Sequence, residues 1–335
     1  MIAYDPKNWT IFLRYVLPSS GSVLFLVWPQ VLLTFVTSVI IVIVNEHSSG
    51  SDSARTGVVV PPNAHKLVGS TLAFLIVLRS RLALVRYGEA RMWLGKMSKA
   101  VRNVSREISD YESSLLAMEL SRYLRLFMAL TRLQLRDETH LFGNPKYVAP
   151  ELYTADEKKI LEGVARRPLK ILGWMEATVD AMSQAGLISQ FREFQFVTHI
   201  ETLGQSFQGS NKIRALQLPL PYAQLLTYFL GLYVYTLPFV LVATMGRATP
   251  IVAGLFAIIL FGINSVAKQL ADPYGYDAND LPIDQLENAV AEDVQYDLHR
   301  NGHVATEGNI RLDIDTEYSS KSVDLIDTSD DGLMV

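Results

Sequence analysis

Cysteine is absent from this chain of 335 residues, which excludes disulfides, thiolate chemistry and cysteine-ligated zinc or iron sites. Charged residues are also scarce, at 19% against the roughly 25% that is usual for soluble domains. The sequence has no glycine-rich phosphate loop, no HExxH motif and no Gly-x-Ser-x-Gly elbow, and its six histidines are dispersed. We therefore expect neither an enzyme nor a redox protein.

The sequence contains several long uncharged stretches. The first, Ser22–Val44, is long enough as a helix to cross the roughly 30 Å hydrocarbon core of a bilayer. A second apolar segment, Leu67–Leu78, continues with helical periodicity to Trp93. Two further stretches, 215–246 and 248–267, are separated by Arg247 alone, which indicates a tight hairpin. The sequence predicts an all-α membrane protein with four spans.

Proline residues are concentrated in the third of these stretches. Pro219, Pro221 and Pro238 all lie within residues 215–246. Proline removes a backbone hydrogen bond from a helix interior and kinks it. We therefore expect kinks in the third span.

Composition divides the chain into five segments. Residues 1–92 hold the first two spans, with the second helix over 65–92, and residues 215–270 hold the last two. Residues 93–214 form a predicted helical cytosolic domain, in which Thr154 and Glu157 match a capping box. Residues 271–300 are an acidic segment with a helix, and 301–335 are an acidic tail too poor in apolar residues to fold alone.

Basic residues orient the spans. They are dense after the second span and nearly absent from the loop 45–63, which contains only Arg55. The positive-inside rule then places both chain termini in the cytosol. We expect a multi-pass protein of the plasma or inner membrane, in preference to an organelle membrane such as the thylakoid.

One face of the second helix carries the strongest functional signal. Ser70, Phe74 and Leu78 are four residues apart and therefore stack on one helix face. In a ring of identical copies this face would form a hydrophobic constriction that gates by dewetting. Arg79 and Arg81 follow it and would raise the anion concentration at the inner mouth. The alternatives are ordinary helix packing for the apolar stripe and snorkelling for the arginines.

Three motifs resemble one known family. Arg86 to Gly95 reads Arg-x-x-Glu-x-Arg-x-Trp-Leu-Gly, which is similar to a family pattern Arg-x-x-Glu-x-Arg-x-x-Trp-Gly with the Trp shifted and Leu94 before Gly95. Leu-Pro-Leu-Pro-Tyr occupies 218–222, and Asp-Pro-Tyr-Gly-Tyr-Asp occupies 272–277. In this order, over about residues 9–293, the motifs resemble the bestrophins and their bacterial, fungal and plant relatives.

The resemblance implies a pentameric, anion-selective channel with a helical cytosolic vestibule. It assigns Ser70, Phe74 and Leu78 to the three neck positions of the central pore. Family members fill these positions mostly with large apolar residues, so Ser70 departs from the pattern and implies a wetter outer neck.

The resemblance also raises the question of calcium. Animal bestrophins bind calcium after a Pro-Phe-Gly motif, and the oxygen-bearing residues at the matching positions are Asp277, Asn279 and Asp280. Calcium takes six to eight oxygen ligands. The alternative is that Asp280 or a neighbour caps the following helix. We expect no required cofactor, with calcium as a candidate regulator.

Three functions remain open from the sequence: an anion channel, a four-span secondary anion transporter and a non-conducting membrane scaffold. A transporter would show inverted repeats or buried ionisable residues in its spans, and neither is evident. The expected partners of a channel are further copies of the chain, the lipid bilayer and monovalent anions such as chloride, with no nucleic acid.

Overall fold

The computed structural model describes residues 22–48, 62–111, 114–216 and 219–304, with side chains described as far as Val294. Within these ranges the chain is all-helical, as predicted, and contains no strand. The α-helices are α1 (Val23–Ser48), α2 (Pro62–Ile108), α3 (Leu115–Leu135), α4 (Ala155–Glu162), α5 (Arg167–Gln184), α6 (Gln190–Ala215), α7 (Leu220–Met245), α8 (Thr249–Ala271) and α9 (Ile283–Val304).

Three segments of the described chain are long and apolar enough to cross a membrane: Val23–His47, His65–Tyr111 and Leu220–Ala271. The last contains two helices, α7 of 26 residues and α8 of 23 residues, joined by a 3₁₀ turn at Gly246–Ala248. Gly246 has a φ of 51°, a left-handed value that glycine adopts without strain, so α7 can end there. Arg247, the single charged residue between the two apolar stretches, therefore lies in a turn, as predicted.

The three prolines behind the predicted kinks in the third stretch have different places in α7. Pro219 is the N-cap of α7 and Pro221 lies in its first turn, where the missing N–H has no intrahelical role. Pro238 alone lies inside α7. Two of the three prolines therefore start the helix.

The chain forms two compact units. Within the described residues, the first unit contains 22–48, 62–90, 213–216 and 219–282, and the second contains 91–111, 114–212 and 283–304. The segment predicted as 271–300 is therefore divided, because α9 belongs to the second unit and the residues before it to the first.

In the first unit, α1 packs on α7 and α8, which also pack on each other. Its buried core consists of Leu72, Ile76, Leu226, Leu230, Val234 and Ala257. Polar side chains within α1 return their hydrogen bonds to the same helix, as where the Ser38 hydroxyl donates to the Thr34 carbonyl at 2.6 Å. This satisfies polar groups where water is absent.

In the second unit, α3 is largely buried and packs against α5 and α9. The capping box of α4 is present: Thr154 N donates to Glu157 Oε2 at 2.7 Å, and Glu157 N donates to Thr154 Oγ1 at 3.3 Å. Glu157 also accepts two bonds from the Arg122 guanidinium, at 2.7 and 2.8 Å. The helix start is thus tied to α3.

The helix α9 continues to Val304, four residues into the segment that the sequence analysis assigns to the acidic tail. Val290 and Val294 on α9 are buried in the core of the second unit, and Glu287 pairs with Arg132 of α3. A helix anchored by its apolar face propagates beyond the packed turns. The rest of the predicted tail, 305–335, lies outside the described residues.

Gly209 of α6 allows a close approach to the Trp93 ring, and its replacement by alanine is expected to destabilise the second unit. A Cβ at Gly209 would lie 2.4 Å from Cε2 of Trp93. Overpacking of this kind costs about 1–3 kcal/mol. The Trp93 ring also has the Lys96 ammonium 4.7 Å from its centre, which limits its freedom to move. Thermal unfolding of the purified protein, followed by circular dichroism, measures the loss.

Gly173→Ala in α5 is the matched control for this prediction. Nothing lies within 4 Å of a Cβ added at Gly173. Because alanine favours a helix over glycine by about 1 kcal/mol, this variant should unfold at a slightly higher temperature than the wild type. If both variants shift the midpoint in the same direction, the steric role of Gly209 is contradicted.

Candidate functional site: the exposed face of the second helix

The part of α2 that belongs to the first unit, from Pro62 to Ala90, has two different faces. Leu72, Ile76, Arg79 and Ala83 are buried in the described chain. Their spacing of three or four residues places them on one side of the helix. This side faces the core of the first unit, and the described part of the chain leaves the opposite side uncovered.

The predicted neck residues all lie on the uncovered side. Phe74 is 67% exposed and Leu78 is 37% exposed. Ser70 is exposed too, and its hydroxyl donates to the Leu67 carbonyl at 2.9 Å, so it adds a small polar group that is already bonded to its own helix. Arg81 is exposed and follows Phe74 by seven residues, about two helical turns. The helix thus carries an apolar patch followed by a positive charge on one side.

Arg79 lies elsewhere. Its side chain is buried, with a residue exposure of 5%, and Nη1 donates to Asn264 Oδ1 of α8 at 2.7 Å. This placement does not favour the predicted role at the inner mouth. Residues two apart on an α-helix point about 200° away from each other, so Arg79 and Arg81 cannot share a face. The spacing of the two arginines in the sequence already predicts that they lie on different faces of the helix.

The burial of Arg79 also corrects a second expectation. The sequence indicated no ionisable residue buried in the spans, yet Arg79 lies within the candidate span that starts at His65. A charged group inside a membrane segment is expensive and is therefore a candidate functional group.

Arg86, the first residue of the resembling motif, holds the end of another helix. Its guanidinium donates to the carbonyls of Ile213 and Leu216, at the end of α6. The last carbonyls of a helix have no intrahelical partner and carry a partial negative charge, so a cation there is favourable. The next residue, Tyr87, donates its hydroxyl to the Asn279 carbonyl at 3.0 Å. The motif therefore anchors α2 to the chain before α7 and to the loop after α8.

The loop after α8 contains the candidate calcium ligands. Asp280 is buried, and its Oδ2 accepts a bond from Asp277 N at 2.7 Å. Burial raises the pKa of Asp280 to about 6, although this hydrogen bond opposes the shift. The side chain of Asn279 donates to Gln269 Oε1 at 3.2 Å. The Asp280 carboxylate therefore closes the loop on itself, whereas the sequence alternative was a cap on α9.

These contacts engage two of the three candidate calcium ligands. Among the described residues, no group of three or more histidine or acidic side chains could hold a metal ion. The Asp280 carboxylate is engaged with a backbone N–H, and the Asn279 amide with Gln269. Calcium regulation stays a prediction from the resemblance.

Comparisons with known proteins agree with this architecture. The model of the Bacterial/Fungal Bestrophin protein family matches residues 3–296. Voltage-dependent anion channel-forming protein sll1024 of Synechocystis is 28% identical over 289 residues, which cover 84% of this chain and 89% of the relative. Voltage-dependent anion channel-forming protein YneE of Escherichia coli K12 is 25% identical over 298 residues, covering 88% of this chain and 93% of the relative.

A solved structure supports the same fold. The crystal structure of a bacterial Bestrophin homolog from Klebsiella pneumoniae matches with a TM-score of 0.71 at 21% identity and covers 81% of this chain and 97% of that one. Because the family model extends over nearly the whole described chain and the fold agrees, this chain is a membrane protein that belongs to the bacterial and fungal bestrophin family.

Proposed function

We propose that the chain assembles as a pentamer and conducts monovalent anions through a central pore lined by α2 of each copy. The observation that carries the proposal is the uncovered side of α2, where Phe74 and Leu78 are exposed while the opposite side is buried. An exposed apolar patch of this kind marks a surface that another copy, a lipid or a pore covers. The relatives named as anion channel-forming proteins support the pore.

Anion selectivity follows from the order of side chains on this face. In a symmetric assembly Phe74 and Leu78 form apolar rings, and an ion passes them only after losing part of its water shell. Monovalent anions such as chloride, nitrate or bicarbonate lose water more readily than small hard cations do. The positive edge of the Phe74 ring also favours an anion. A ring of Arg81 side chains beyond the neck raises the local anion concentration.

The proposed topology has four spans: α1, the first-unit part of α2, α7 and α8. Both termini and the second unit lie in the cytosol, because the basic residues that follow the second span mark the inner side. The plasma or inner membrane is the proposed location. No cofactor is required, and recordings with and without calcium test whether calcium regulates the channel.

Recording from the purified protein in planar bilayers tests the function. We expect currents whose reversal potential follows the anion gradient and is insensitive to the cation. A transporter would instead show flux that saturates and depends on a second coupled ion, and a scaffold would show no flux. Cation-selective currents would contradict the proposal, and a monomeric mass in detergent would contradict the shared pore.

A further inference from the structure

The Arg79 guanidinium lies in the apolar part of the first unit. The side chain to which it donates a hydrogen bond, Asn264, is a neutral amide. The residue exposure of Arg79 is 5%, and its Nη1 bonds Asn264 Oδ1. Asn264 lies seven residues before the end of α8 at Ala271, about 10 Å at helical rise. The guanidinium is therefore held within the span and not at its end.

No carboxylate neutralises this charge in the part of the first unit that the structure describes. The acidic residues there are Glu46, Glu89, Asp272, Asp277 and Asp280. Glu46 pairs with Arg247, and Glu89 is exposed ten residues further along α2, about 15 Å away along the axis. The three aspartates belong to the loop after α8, where Asp280 is bonded to Asp277. A buried charge without a counter-charge is strongly unfavourable.

The free polar groups around Arg79 are hydrogen-bond donors. Arg79 Nε is buried and lacks a hydrogen-bond partner among the described residues, and so does the hydroxyl oxygen of Tyr222. Tyr222 packs against the core that contains Leu72 and Ile76 of α2, and Ile76 lies about one helical turn before Arg79. Asn264 uses its carbonyl oxygen for Arg79, which leaves its amide N–H groups as donors. Three helices, α2, α7 and α8, thus contribute one donor side chain each.

We propose that these three side chains bind a desolvated monovalent anion of the halide class. One negative charge neutralises the one guanidinium, whereas a divalent anion would leave a net charge in the apolar unit. A halide accepts hydrogen bonds from any direction and brings no donor of its own, which matches a site in which each of the three side chains offers a donor. The site lies on the buried side of α2, away from Phe74 and Arg81, and it does not depend on the proposed pore.

Thermal unfolding of the purified full-length protein tests the site. Sodium bromide replaces sodium gluconate at constant pH and ionic strength. We expect a saturable rise of roughly 5 °C in the unfolding midpoint with bromide and a smaller rise with sulfate. A midpoint that does not respond to bromide overturns the proposal, whether or not the protein conducts anions.

Variants separate this site from the proposed pore. Tyr222→Phe removes one hydrogen-bond donor and keeps the ring. The bromide concentration that gives half of the maximal rise in the unfolding midpoint should therefore increase roughly tenfold. Tyr228→Phe is the matched control on α7, because Tyr228 is 71% exposed, and it should leave this concentration unchanged. Arg79→Met with Asn264→Leu should abolish the bromide response.

Arg81→Gln distinguishes the buried site from anion binding at the pore mouth. The proposal predicts that this variant keeps the full bromide response. A response that Arg81→Gln abolishes and Tyr222→Phe preserves overturns the buried site. If the double variant does not fold, the comparison of Tyr222→Phe with Tyr228→Phe and Arg81→Gln decides the question alone.

Discussion

Phe74→Ala is expected to raise the single-channel conductance about tenfold, which corresponds to removing about 1.4 kcal/mol from the barrier to permeation. Phe74 is more exposed than the next proposed neck side chain, at 67% against 37% for Leu78. In a ring of copies its truncation widens and wets the apolar ring at this position, so an ion keeps more of its water. Anion selectivity over cations should fall for the same reason. Planar-bilayer recording measures both quantities.

Phe25→Ala on α1 is the matched control. Phe25 is exposed to a similar extent, at 64%, but it lies on a different helix. We expect its conductance and anion selectivity to equal those of the wild type. Both variants should retain the oligomeric mass of the wild type in detergent. Wild-type conductance in a correctly assembled Phe74→Ala channel would place the constriction elsewhere.

Glu157→Gln is expected to destabilise the second unit by about 3 kcal/mol at pH 7. Burial alone would raise the pKa of Glu157, but bonds from the Arg122 guanidinium, Thr154 N–H and the Tyr123 hydroxyl outweigh it and lower the pKa to about 2. A depression of this size from 4.5 corresponds to about 3 kcal/mol of stability in the ionised form. The side chain is only 13% exposed, so water screens these contacts little.

The pH dependence of this prediction has a definite sign. Because the folded protein binds the Glu157 proton more weakly than the unfolded chain, the stabilisation is complete above pH 4.5. It is lost as the pH falls from about 4.5 to about 2. The difference between the wild type and Glu157→Gln should therefore shrink over this range. Denaturant unfolding at a series of pH values measures it.

Glu162→Gln is the control on the same helix. Glu162 lies at the other end of α4, and its nearest recorded cation, Lys158 Nζ, is 4.0 Å away with both side chains largely exposed. Surface pairs of this kind contribute about 0–1 kcal/mol, so the midpoint should hardly move. A Glu157→Gln protein as stable as the wild type at pH 7 would show that the contacts with Arg122 and Tyr123 carry no net stabilisation.

The helical content and the apolar segments could be predicted from the sequence because they depend on local patterns. Three features of the sequence are local in this sense: the uncharged run before Glu46, the single charge at Arg247, and the spacing of Thr154 and Glu157. The structure places α1, the turn at Gly246–Ala248 and the capping box at these positions. The prolines before Tyr222 were misjudged because the same residue kinks a helix interior and starts a helix.

The candidate face was predicted less completely. Helical spacing brought Ser70, Phe74 and Leu78 to one side of α2, and the structure exposes that side. Arg79 and Arg81 have the same charge and both follow Leu78, so composition alone does not separate them, although helical geometry turns them to different faces. The partner of Arg79 is Asn264, which is 185 residues away in the chain, and no local pattern predicts such a contact.

The sequence by itself determined that this chain enters a membrane, since burial in lipid depends on the length and apolar character of each segment. It also determined which residues share a face of α2, because the helical repeat follows from backbone geometry. Only the tertiary structure decided which face is covered. The packing of α7 and α8 on one side of α2 buries Arg79 and leaves Phe74 and Arg81 exposed, and that choice arises from contacts between residues far apart in the chain.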